Sequence, residues 1–240
     1  MKDTAQLISI IIPVFNECES IGYLLDEVLN VMQNNNLNYQ LIVVNDGSLD
    51  NTSNVLDELS IKIKELSVIS LRKNYGQTAA MAAGFDNSDG DILITLDGDL
   101  QNDPNDIPKL ISHINEGYDL ICGWRYDRKD KLINRRIPSK IANKLIANVT
   151  GLKLHDYGCS LKAFKKEIVD DIKLYGELHR FLPVLANIEG AKIKEIKVNH
   201  RSRKYGSSKY GIDRTFRVLM DLFTVWFMTK FLTRPMYGFG

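Results

Sequence analysis

The sequence predicts an α/β fold in which a mostly parallel sheet carries helices on both faces. Apolar runs of strand length recur along the first half of the chain, and segments with helical spacing of apolar residues lie between them. The run Leu7–Val14 is apolar at nearly every position, as in a strand that is buried on both faces. Strands that alternate with helices predict a parallel sheet covered on both sides.

The predicted elements of the first half follow in a regular order. Strands are expected at Leu7–Val14, Leu41–Val44, Val68–Leu71, Ile92–Leu96 and Asp119–Gly123. Ser20 opens the first helical segment, whose shared apolar face comprises Ile21, Leu24, Leu25, Val28 and Val31 or Met32. Further helices are expected at Thr52–Leu66, at Ala79–Phe85 and from Pro104 through Ile107–Ile114. Proline is favoured in the first turn of a helix, which supports a start at Pro104.

The second half of the chain is less regular. A helix is expected at Ile133–Val149, and the alternating pattern of Ile193–Val198 predicts a strand. Residues 125–144 are strongly basic, which fits either a solvated face or a contact with phosphate. No internal repeat and no clear linker divides the chain.

Composition and charge narrow the class of protein. Hydrophobic residues make up 44% of the 240 residues, which excludes a disordered or fibrous chain. The net charge of +1 argues against a nucleic-acid binder that works by bulk attraction. Cys18, Cys122 and Cys159 are odd in number and far apart, so we expect neither a disulfide framework nor a zinc knuckle, and a reducing compartment is favoured.

The last thirty residues are unusually apolar and aromatic. Residues 216–232 carry a helical apolar stripe, but Arg217, Asp221 and Lys230 are too many charges for a membrane span. A helix packed on the core is one interpretation, and a helix lying in a membrane surface is the other. The chain stops on an apolar stretch, so we expect a transmembrane region to follow in the natural protein. The apolar excess also fits self-association into a homo-oligomer.

The carboxyl ends of the predicted strands carry polar and acidic side chains. Asn16 and Glu17 follow the first strand, Asp46 the second, and Asp97 and Asp99 the fourth. Ligands bind at this edge of doubly wound sheets, so these residues are expected to share one pocket. No glycine-rich phosphate loop follows the first strand, which argues against a dinucleotide enzyme or a P-loop NTPase.

Two groups of acidic residues in this pocket have a chemical interpretation. Asp97, Asp99 and Gln101 offer hard oxygen ligands for Mg²⁺ or Mn²⁺, against the alternative of a solvated acidic turn. Asp46 is placed to accept hydrogen bonds from a base or a ribose. The alternative is that Ser48 and Asp50 cap the next helix, and Glu17 has the same ambiguity.

The basic loop from Arg201 to Lys209 is expected to act on an anionic substrate. Gly206 and two serines make this loop flexible. A flexible basic loop that faces an acidic pocket suits a lid over phosphates, with Arg203 and Lys209 as the contacting residues.

Together these segments resemble the family-2 glycosyltransferases of the GT-A fold. The matching motifs are residues 11–17 (IIPVFNE), 43–48 (VVNDGS), 74–77 (NYGQ), 96–101 (LDGDLQ), 123–125 (GWR), 156–160 (DYGCS) and 203–209 (RKYGSSK). The sequence is similar to the polyprenyl-phosphate branch, which includes dolichol-phosphate mannose synthases, and within it to bacterial undecaprenyl-phosphate glucosyltransferases. One departure is Asn45, where many relatives carry an aspartate.

The resemblance implies an activity and a set of site residues. The activity is inverting, metal-dependent transfer of glucose from UDP-glucose to a polyprenyl phosphate at the cytoplasmic membrane face. The implied catalytic residues are Asp99, Arg125, Asp156, Arg203 and Lys209. The implied binding residues are Pro13, Phe15, Asn16, Glu17, Asp46, Asn74, Gly76, Asp97, Arg135 and Ser139, and the metal ligands are Asp97, Asp99 and Gln101. A lipid phosphate needs little help from a base, so Asp156 is expected to orient a substrate.

The alternatives concern the substrates and the activity itself. GDP-mannose is the second candidate donor, and a soluble transferase acting on a glycan or protein hydroxyl is a second kind of enzyme. A catalytically dead nucleotide-binding scaffold is the third possibility, which the intact set of Asp97, Asp99 and Gln101 argues against. Residues 1–210 are expected to form the catalytic domain, and residues 211–240 an amphipathic juxtamembrane segment.

Overall fold

A computed structural model describes residues 6–127, 146–148, 150–205, 220, 223, 224, 226 and 227. The strands are β1 (Leu7–Val14), β2 (Asn38–Asn45), β3 (Leu66–Ser70), β4 (Ile92–Thr95), β5 (Leu120–Arg125), β6 (Lys162–Lys165) and β7 (Ile193–Val198). The α-helices are α1 (Ile21–Asn34), α2 (Thr52–Lys62), α3 (Gln77–Asp86), α4 (Ile107–Asn115), α5 (Lys166–Asp170) and α6 (Leu182–Ile188). Two 3₁₀ turns lie at Pro104–Asp106 and Leu178–Phe181.

The seven strands form one sheet in the order β3-β2-β1-β4-β6-β5-β7. All neighbouring pairs are parallel except those of β6, which runs antiparallel to both β4 and β5. The predicted mostly parallel sheet is therefore confirmed. Strand β6 was not predicted, because its four residues lie in a stretch where Asp, Gly and Ser mask the strand pattern.

Helices cover both faces of the sheet, which explains the continuous apolar run of β1. Ile10 and Ile12 face a core formed with α1, α2 and α4, whereas Ile11 faces a second core formed with α3, α5 and α6. Both sets of side chains are buried, so nearly every position of β1 is apolar, and the one polar side chain, Ser9, accepts a hydrogen bond from the Gly90 nitrogen. The predicted apolar face of α1 is also buried in the first core.

The register of the strands brings their carboxyl ends to one edge. Val14 at the end of β1 lies opposite Asn45 at the end of β2, and Ser70 at the end of β3 pairs with the same Asn45. Loops that leave these strands therefore meet above a common edge. This arrangement assembles the site described below.

Some predicted boundaries were wrong by a few residues. The helix predicted at Thr52–Leu66 ends at Lys62, since Ile63 is extended and Leu66 already belongs to β3. The helix predicted at Ile133–Val149 lies mostly outside the described residues, of which 146–148 are helical. The described residues of the predicted tail helix are helical too, and Met220, Phe223 and Phe227 are exposed. Within the part of the chain that the structure describes, no helix is long and apolar enough to cross a membrane.

Candidate active site

Hydrogen bonds lock the loop after β1 to the loop after β2. Asn16 adopts a left-handed conformation (φ 53), which asparagine tolerates better than most residues. Its main-chain nitrogen donates to Ser48 Oγ at 2.9 Å, and its Oδ1 accepts from the Leu49 nitrogen at 2.7 Å. The nitrogen of Glu17 donates to Thr52 Oγ1 at 2.9 Å. The two predicted binding residues thus occupy a fixed turn beside β2.

Asp46 fixes a third loop, the one between β3 and α3. Its carboxylate is buried and accepts main-chain hydrogen bonds from Tyr75 (2.7 Å) and Gly76 (2.9 Å). Gly47 is left-handed (φ 64), and a β-carbon there would overlap the main chain of Lys73. Only glycine allows this close approach of the two loops.

These three loops enclose a cleft of about 340 Å³ at the ends of β1, β2 and β3. Its wall combines the Phe15 ring with main-chain and polar groups. The lining residues are Phe15, Asn45, Gly47, Ser48, Leu49, Ser53, Ser70, Leu71, Arg72, Lys73 and Asn74. The lining includes the predicted binding residues Phe15 and Asn74. An aromatic wall with polar groups around it can take a planar, hydrogen-bonding group such as a nucleotide base.

The two carboxylates of the Asp-x-Asp motif lie beside this cleft, after β4. Asp97 Oδ1 accepts from Gln77 Nε2 at 2.7 Å, so the start of α3 holds this side chain. Asp99 Oδ1 accepts from the Gln101 main-chain nitrogen at 3.0 Å. Leu100, between Asp99 and Gln101, is buried and left-handed (φ 61), a conformation that costs a non-glycine residue on the order of 1–3 kcal/mol. Burial of its side chain holds the turn in this form.

The electrostatics of the motif suit a bound cation. Burial raises the pKa of Asp99 to about 6, and the neighbouring charge of Asp97 adds to the rise, whereas Arg203 opposes it. Arg203 Nη2 contacts Asp99 Oδ2 at 2.5 Å, and its Nη1 lies 3.7 Å from Glu17 Oε1. The structure therefore brings together Arg203 from the predicted basic loop, Asp99 and Glu17.

A buried ion pair stands at the end of β5. Arg125 donates from Nε to Asp156 Oδ2 at 2.6 Å and from Nη2 to Asp156 Oδ1 at 2.8 Å. Burial lowers the pKa of Arg125, but its hydrogen bonds and charge attraction to Asp156 outweigh this, so the pKa lies above its ordinary value. Asp156 also accepts from the Gly158 nitrogen at 3.1 Å. Its carboxylate is thus fully engaged in orienting Arg125 and its own loop.

Comparison with known proteins decides the family. The sequence model of the family described as Glycosyl transferase family 2 matches residues 9–173, more than half of the chain. The chain belongs to glycosyl transferase family 2. The matched segment contains Asp46, Asp97, Asp99, Arg125 and Asp156.

Two curated relatives of this glycosyltransferase act on lipid phosphates by name. It is 46% identical over 237 residues to the dodecaprenyl-phosphate galacturonate synthase of Rhizobium johnstonii, covering 97% of this chain and 70% of the relative. It is 40% identical over 218 residues to the undecaprenyl-phosphate 4-deoxy-4-formamido-L-arabinose transferase of Proteus mirabilis, covering 90% and 67%. The resemblance to family 2 and to its polyprenyl-phosphate branch is confirmed.

Solved structures confirm the GT-A fold of the glycosyltransferase. Mannosyl-3-phosphoglycerate synthase from Rubrobacter xylanophilus matches with a TM-score of 0.74 at 15% identity, over 90% of this chain and 73% of that one. Glucosyl-3-phosphoglycerate synthase from Mycobacterium tuberculosis, in complex with Mn²⁺ and UDP-glucose, matches with a TM-score of 0.69 at 18% identity. That match covers 92% of this chain and 78% of the other.

The acidic motif of this family 2 enzyme fits a divalent ion that takes some of its ligands from the protein and the others from a substrate. Across the described ranges, no group of three or more His, Cys, Asp or Glu side chains forms a metal cluster. Mg²⁺ and Mn²⁺ commonly bind through one or two carboxylates and take further oxygens from phosphates and water. Asp97 and Asp99 supply those carboxylates, and the cation contact already present at Asp99 shows that the position attracts positive charge.

Three side chains of the site were not singled out from the sequence. Gln77 holds Asp97, and it stands in the matching motif at residues 74–77. Asn102 Oδ1 accepts from the Asp97 nitrogen (3.2 Å) and from Ser160 Oγ (2.8 Å). Glu195 on β7 accepts from the Asp156 nitrogen at 2.8 Å. The last two were missed because each binds a residue that is distant in the sequence: Ser160 lies 58 residues from Asn102, and Asp156 lies 39 residues from Glu195.

Of the remaining predicted site residues, some lie at the sheet edge and others lie outside the described part of the chain. Pro13 lies in β1, paired with Val44, and Gly76 precedes α3. Gln101 follows the acidic motif and donates from Nε2 to the Arg201 carbonyl at 3.3 Å. Arg135, Ser139 and Lys209 lie outside the described residues.

Proposed function

We propose that this glycosyltransferase transfers a sugar from a nucleotide sugar to a polyprenyl phosphate, with inversion at the anomeric carbon. An oxygen of the lipid phosphate would form the new bond to that carbon as the nucleoside diphosphate leaves. The observation that carries the proposal is the juxtaposition of the cleft, the two carboxylates of the acidic motif and Arg203 at one sheet edge. The two curated relatives support the lipid phosphate as acceptor.

The nucleoside would occupy the cleft at the ends of β1, β2 and β3. Phe15 lines the cleft from the loop after β1, and Asn74 lines it from the loop after β3. Asp46 holds that loop through two main-chain hydrogen bonds, and each of its oxygens retains a second lone pair for a base or ribose donor. The proposed binding set is completed by Pro13, Asn16, Glu17 and Gly76.

The diphosphate would lie over the acidic motif. Asp97, Asp99 and Gln101 would hold Mg²⁺ or Mn²⁺ there, and the ion, when bound, neutralises the charge of the leaving group. Arg203 would exchange its contact with Asp99 for a contact with phosphate oxygens, because guanidinium groups bind phosphate in two-pronged geometry. Lys209 is proposed to close over the same phosphates.

The acceptor phosphate would approach from the side of Arg125, with Arg135 and Ser139 as further proposed contacts. A phosphate monoester has a second pKa of about 6, so at neutral pH it is largely dianionic and needs no general base. The Asp156 carboxylate accepts hydrogen bonds from the Arg125 guanidinium and the Gly158 nitrogen. We therefore assign Asp156 the role of orienting the guanidinium that meets the acceptor.

The candidate donors are nucleotide sugars that differ in the sugar and in the base. The resemblance in sequence favours UDP-glucose, and a structural neighbour binds UDP-glucose with Mn²⁺ by its title. The curated relatives are named for galacturonate and for 4-deoxy-4-formamido-L-arabinose, which are different pyranoses. We propose a UDP-linked pyranose, with UDP-glucose and UDP-galacturonate as the first two donors to compare. GDP-mannose is the alternative donor, outside this proposal.

The proposal places the reaction at a membrane. Residues 1–210 would form the catalytic domain, and the amphipathic segment 211–240 would lie at the cytoplasmic face, where a lipid phosphate is reachable. Exposed Met220, Phe223 and Phe227 support a membrane-facing surface. The relatives that the chain matches are longer, since it spans 70% and 67% of their lengths.

A donor panel tests the proposal. The enzyme is given polyprenyl phosphate, Mn²⁺ and each labelled donor separately, and label in the organic phase is counted. Asp97→Asn is the negative variant, and Lys194→Ala, on the distant part of β7, is the matched control. Label transferred from a UDP-sugar by the wild type and the control, and lost in Asp97→Asn, is the expected result. Transfer to a soluble glycan or protein instead would contradict the lipid acceptor.

A further inference from the structure

The segment Asn199–Arg203, here called the strap, runs from the end of β7 across the edge of the active site. Main-chain contacts fix its first half to the segment that follows the acidic motif. The nitrogen of Arg201 donates to the Gln101 carbonyl at 2.8 Å, and Asn102 pairs with His200 in an isolated β-bridge. The Asn199 nitrogen donates to Asp106 Oδ2 at 2.7 Å.

The side chain of Arg201 adds a two-sided ion pair. Its Nη1 donates to Glu27 Oε2 at 2.6 Å, and its Nη2 donates to Asp103 Oδ1 at 2.8 Å. Glu27 belongs to α1, whereas Asp103 precedes the 3₁₀ turn before α4. Arg201 therefore joins the strap to two elements that are 76 residues apart in the sequence and packed on the same face of the sheet.

A second tie to α1 lies on the other side of Arg203. The rings of Tyr205 and Tyr23 stack with centroids 5.9 Å apart and an angle of 3° between their planes. Tyr23 and Glu27 are four residues apart and so lie on one face of α1. Arg201 and Tyr205 flank Arg203 and both hold on to that face. The guanidinium that contacts Asp99 is thus carried by a short segment anchored at both ends.

We propose that Arg201 is a positioning residue, which sets Arg203 over Asp99 and so prepares it for the diphosphate of the donor. The inference rests on the proposed function only in naming the diphosphate. Without the ties, a long, flexible arginine on a coil segment would have to be ordered when the substrate binds, and that ordering weakens binding and catalysis. Arg201 lies beside the site but contacts Glu27 and Asp103 instead of Asp99.

A double-mutant cycle separates positioning from general stability. Arg201→Ala, Arg203→Ala and the double variant are compared with the wild type by kcat/KM for transfer. Arg201→Ala alone is expected to lose about tenfold, within the range of coupling between residues that are linked through a shared backbone segment. In the Arg203→Ala background the same replacement should cost nothing more. A merely structural role would lower activity equally in both backgrounds, which would overturn the inference.

Conservative and control variants sharpen the cycle. Arg201→Lys can contact only one of the two carboxylates at a time and should recover part of the loss. Glu27→Gln removes one charge of the pair without changing its shape and should reproduce part of the loss. Lys194 lies on β7, the strand that leads into the strap, and contacts Glu116 after α4. Lys194→Ala breaks this surface contact and should leave kcat/KM unchanged.

A second readout does not depend on any substrate. Hydrogen exchange of the Asn199 and Arg201 amides, which are bonded in the wild type, is expected to become faster in Arg201→Ala and to stay unchanged in Lys194→Ala. Exchange at the wild-type rate in Arg201→Ala would overturn the inference whatever the transfer assay shows. If the wild type transfers no sugar, the proposed function fails, and amide exchange alone decides whether Arg201 holds the strap.

Discussion

At the scale of single residues, Arg125 and Asp156 depend on each other. Both side chains are largely buried, with 14% and 9% of their surfaces exposed, and two parallel hydrogen bonds join them. Removal of one partner from a buried ion pair leaves an uncompensated charge. A variant at Asp156 therefore changes both stability and any chemistry at this position.

Asp156→Asn is expected to lower the free energy of unfolding by about 3–5 kcal/mol, the usual cost of breaking a buried pair. Urea denaturation measures this directly. The double variant Arg125→Gln/Asp156→Asn removes both charges and should be more stable than Asp156→Asn alone. A single variant as stable as the wild type would show that the ion pair does not organise this loop.

Removal of the Arg203 side chain is expected to strengthen metal binding, because its contact with Asp99 competes with a bound cation. Arg203→Ala is expected to bind Mn²⁺ about 1.4- to fivefold more tightly in the absence of nucleotide, since a partly exposed ion pair contributes roughly 0.2–1 kcal/mol. Titration of free Mn²⁺ by electron paramagnetic resonance measures the change, with Lys194→Ala as control. Weaker binding in Arg203→Ala would mean that the arginine helps to build the metal site instead of competing for it.

The residues of the site differ in how far the sequence predicts them. Asp97, Asp99 and Asp46 follow apolar strands directly, so the strand pattern and the chemistry of carboxylates single them out. Arg203 was identified only from the composition of its loop, which is basic and flexible and was expected to face the acidic pocket. Asn102 and Glu195 escape such reasoning although Asn102 directly follows the acidic motif and Glu195 lies in a predicted strand, because their roles depend on contacts with Ser160 and Asp156, which are distant in the sequence.

At the scale of elements, α3 packs unusually closely on the centre of the sheet. Gly84 lies in this helix, and a β-carbon there would overlap the side chain of Ile11 on β1. The helix also carries Gln77, which holds Asp97 of the acidic motif. The close contact thus fixes a helix whose first residue belongs to the site.

Gly84→Ala is expected to destabilise the fold by about 1–3 kcal/mol, as overpacking of a filled core does. Gly22→Ala is the matched control, because Gly22 also lies in a helix and has no heavy atom within 4 Å of a β-carbon placed there. The control should be unchanged or gain up to about 1 kcal/mol from the better helix propensity of alanine. Chemical denaturation of the two variants side by side checks both signs. Equal effects would contradict the packing of α3 on β1.

Helices and strands were predicted well where their own residues carry a clear apolar pattern. Leu7–Val14 matches β1 residue for residue, since both of its faces are buried. The end of α2 was placed too late, because Ile63 and Leu66 continue its apolar pattern while the backbone has already turned into β3. The antiparallel strand β6 is defined by its pairing with β4 and β5 and leaves little trace in the sequence.

At the scale of the whole molecule, the fold places the cleft, the acidic motif and a buried arginine along one sheet edge. The cleft lies at β1, β2 and β3, the acidic motif follows β4, and Arg125 ends β5. The order of strands in the sheet therefore sets the order of the groups. A donor bound across this edge would present its sugar between the acidic motif and Arg125. We propose that a lipid phosphate meets the sugar there.

The most direct test offers polyprenyl phosphate and the corresponding polyprenol in the same transfer assay, with Mn²⁺ and the best donor of the panel. The two lipids differ only in the phosphate that Arg125 is proposed to meet. We predict labelled lipid product from polyprenyl phosphate alone, and its loss in Asp97→Asn. Equal transfer to polyprenol, or release of nucleotide without any lipid product, would contradict the account.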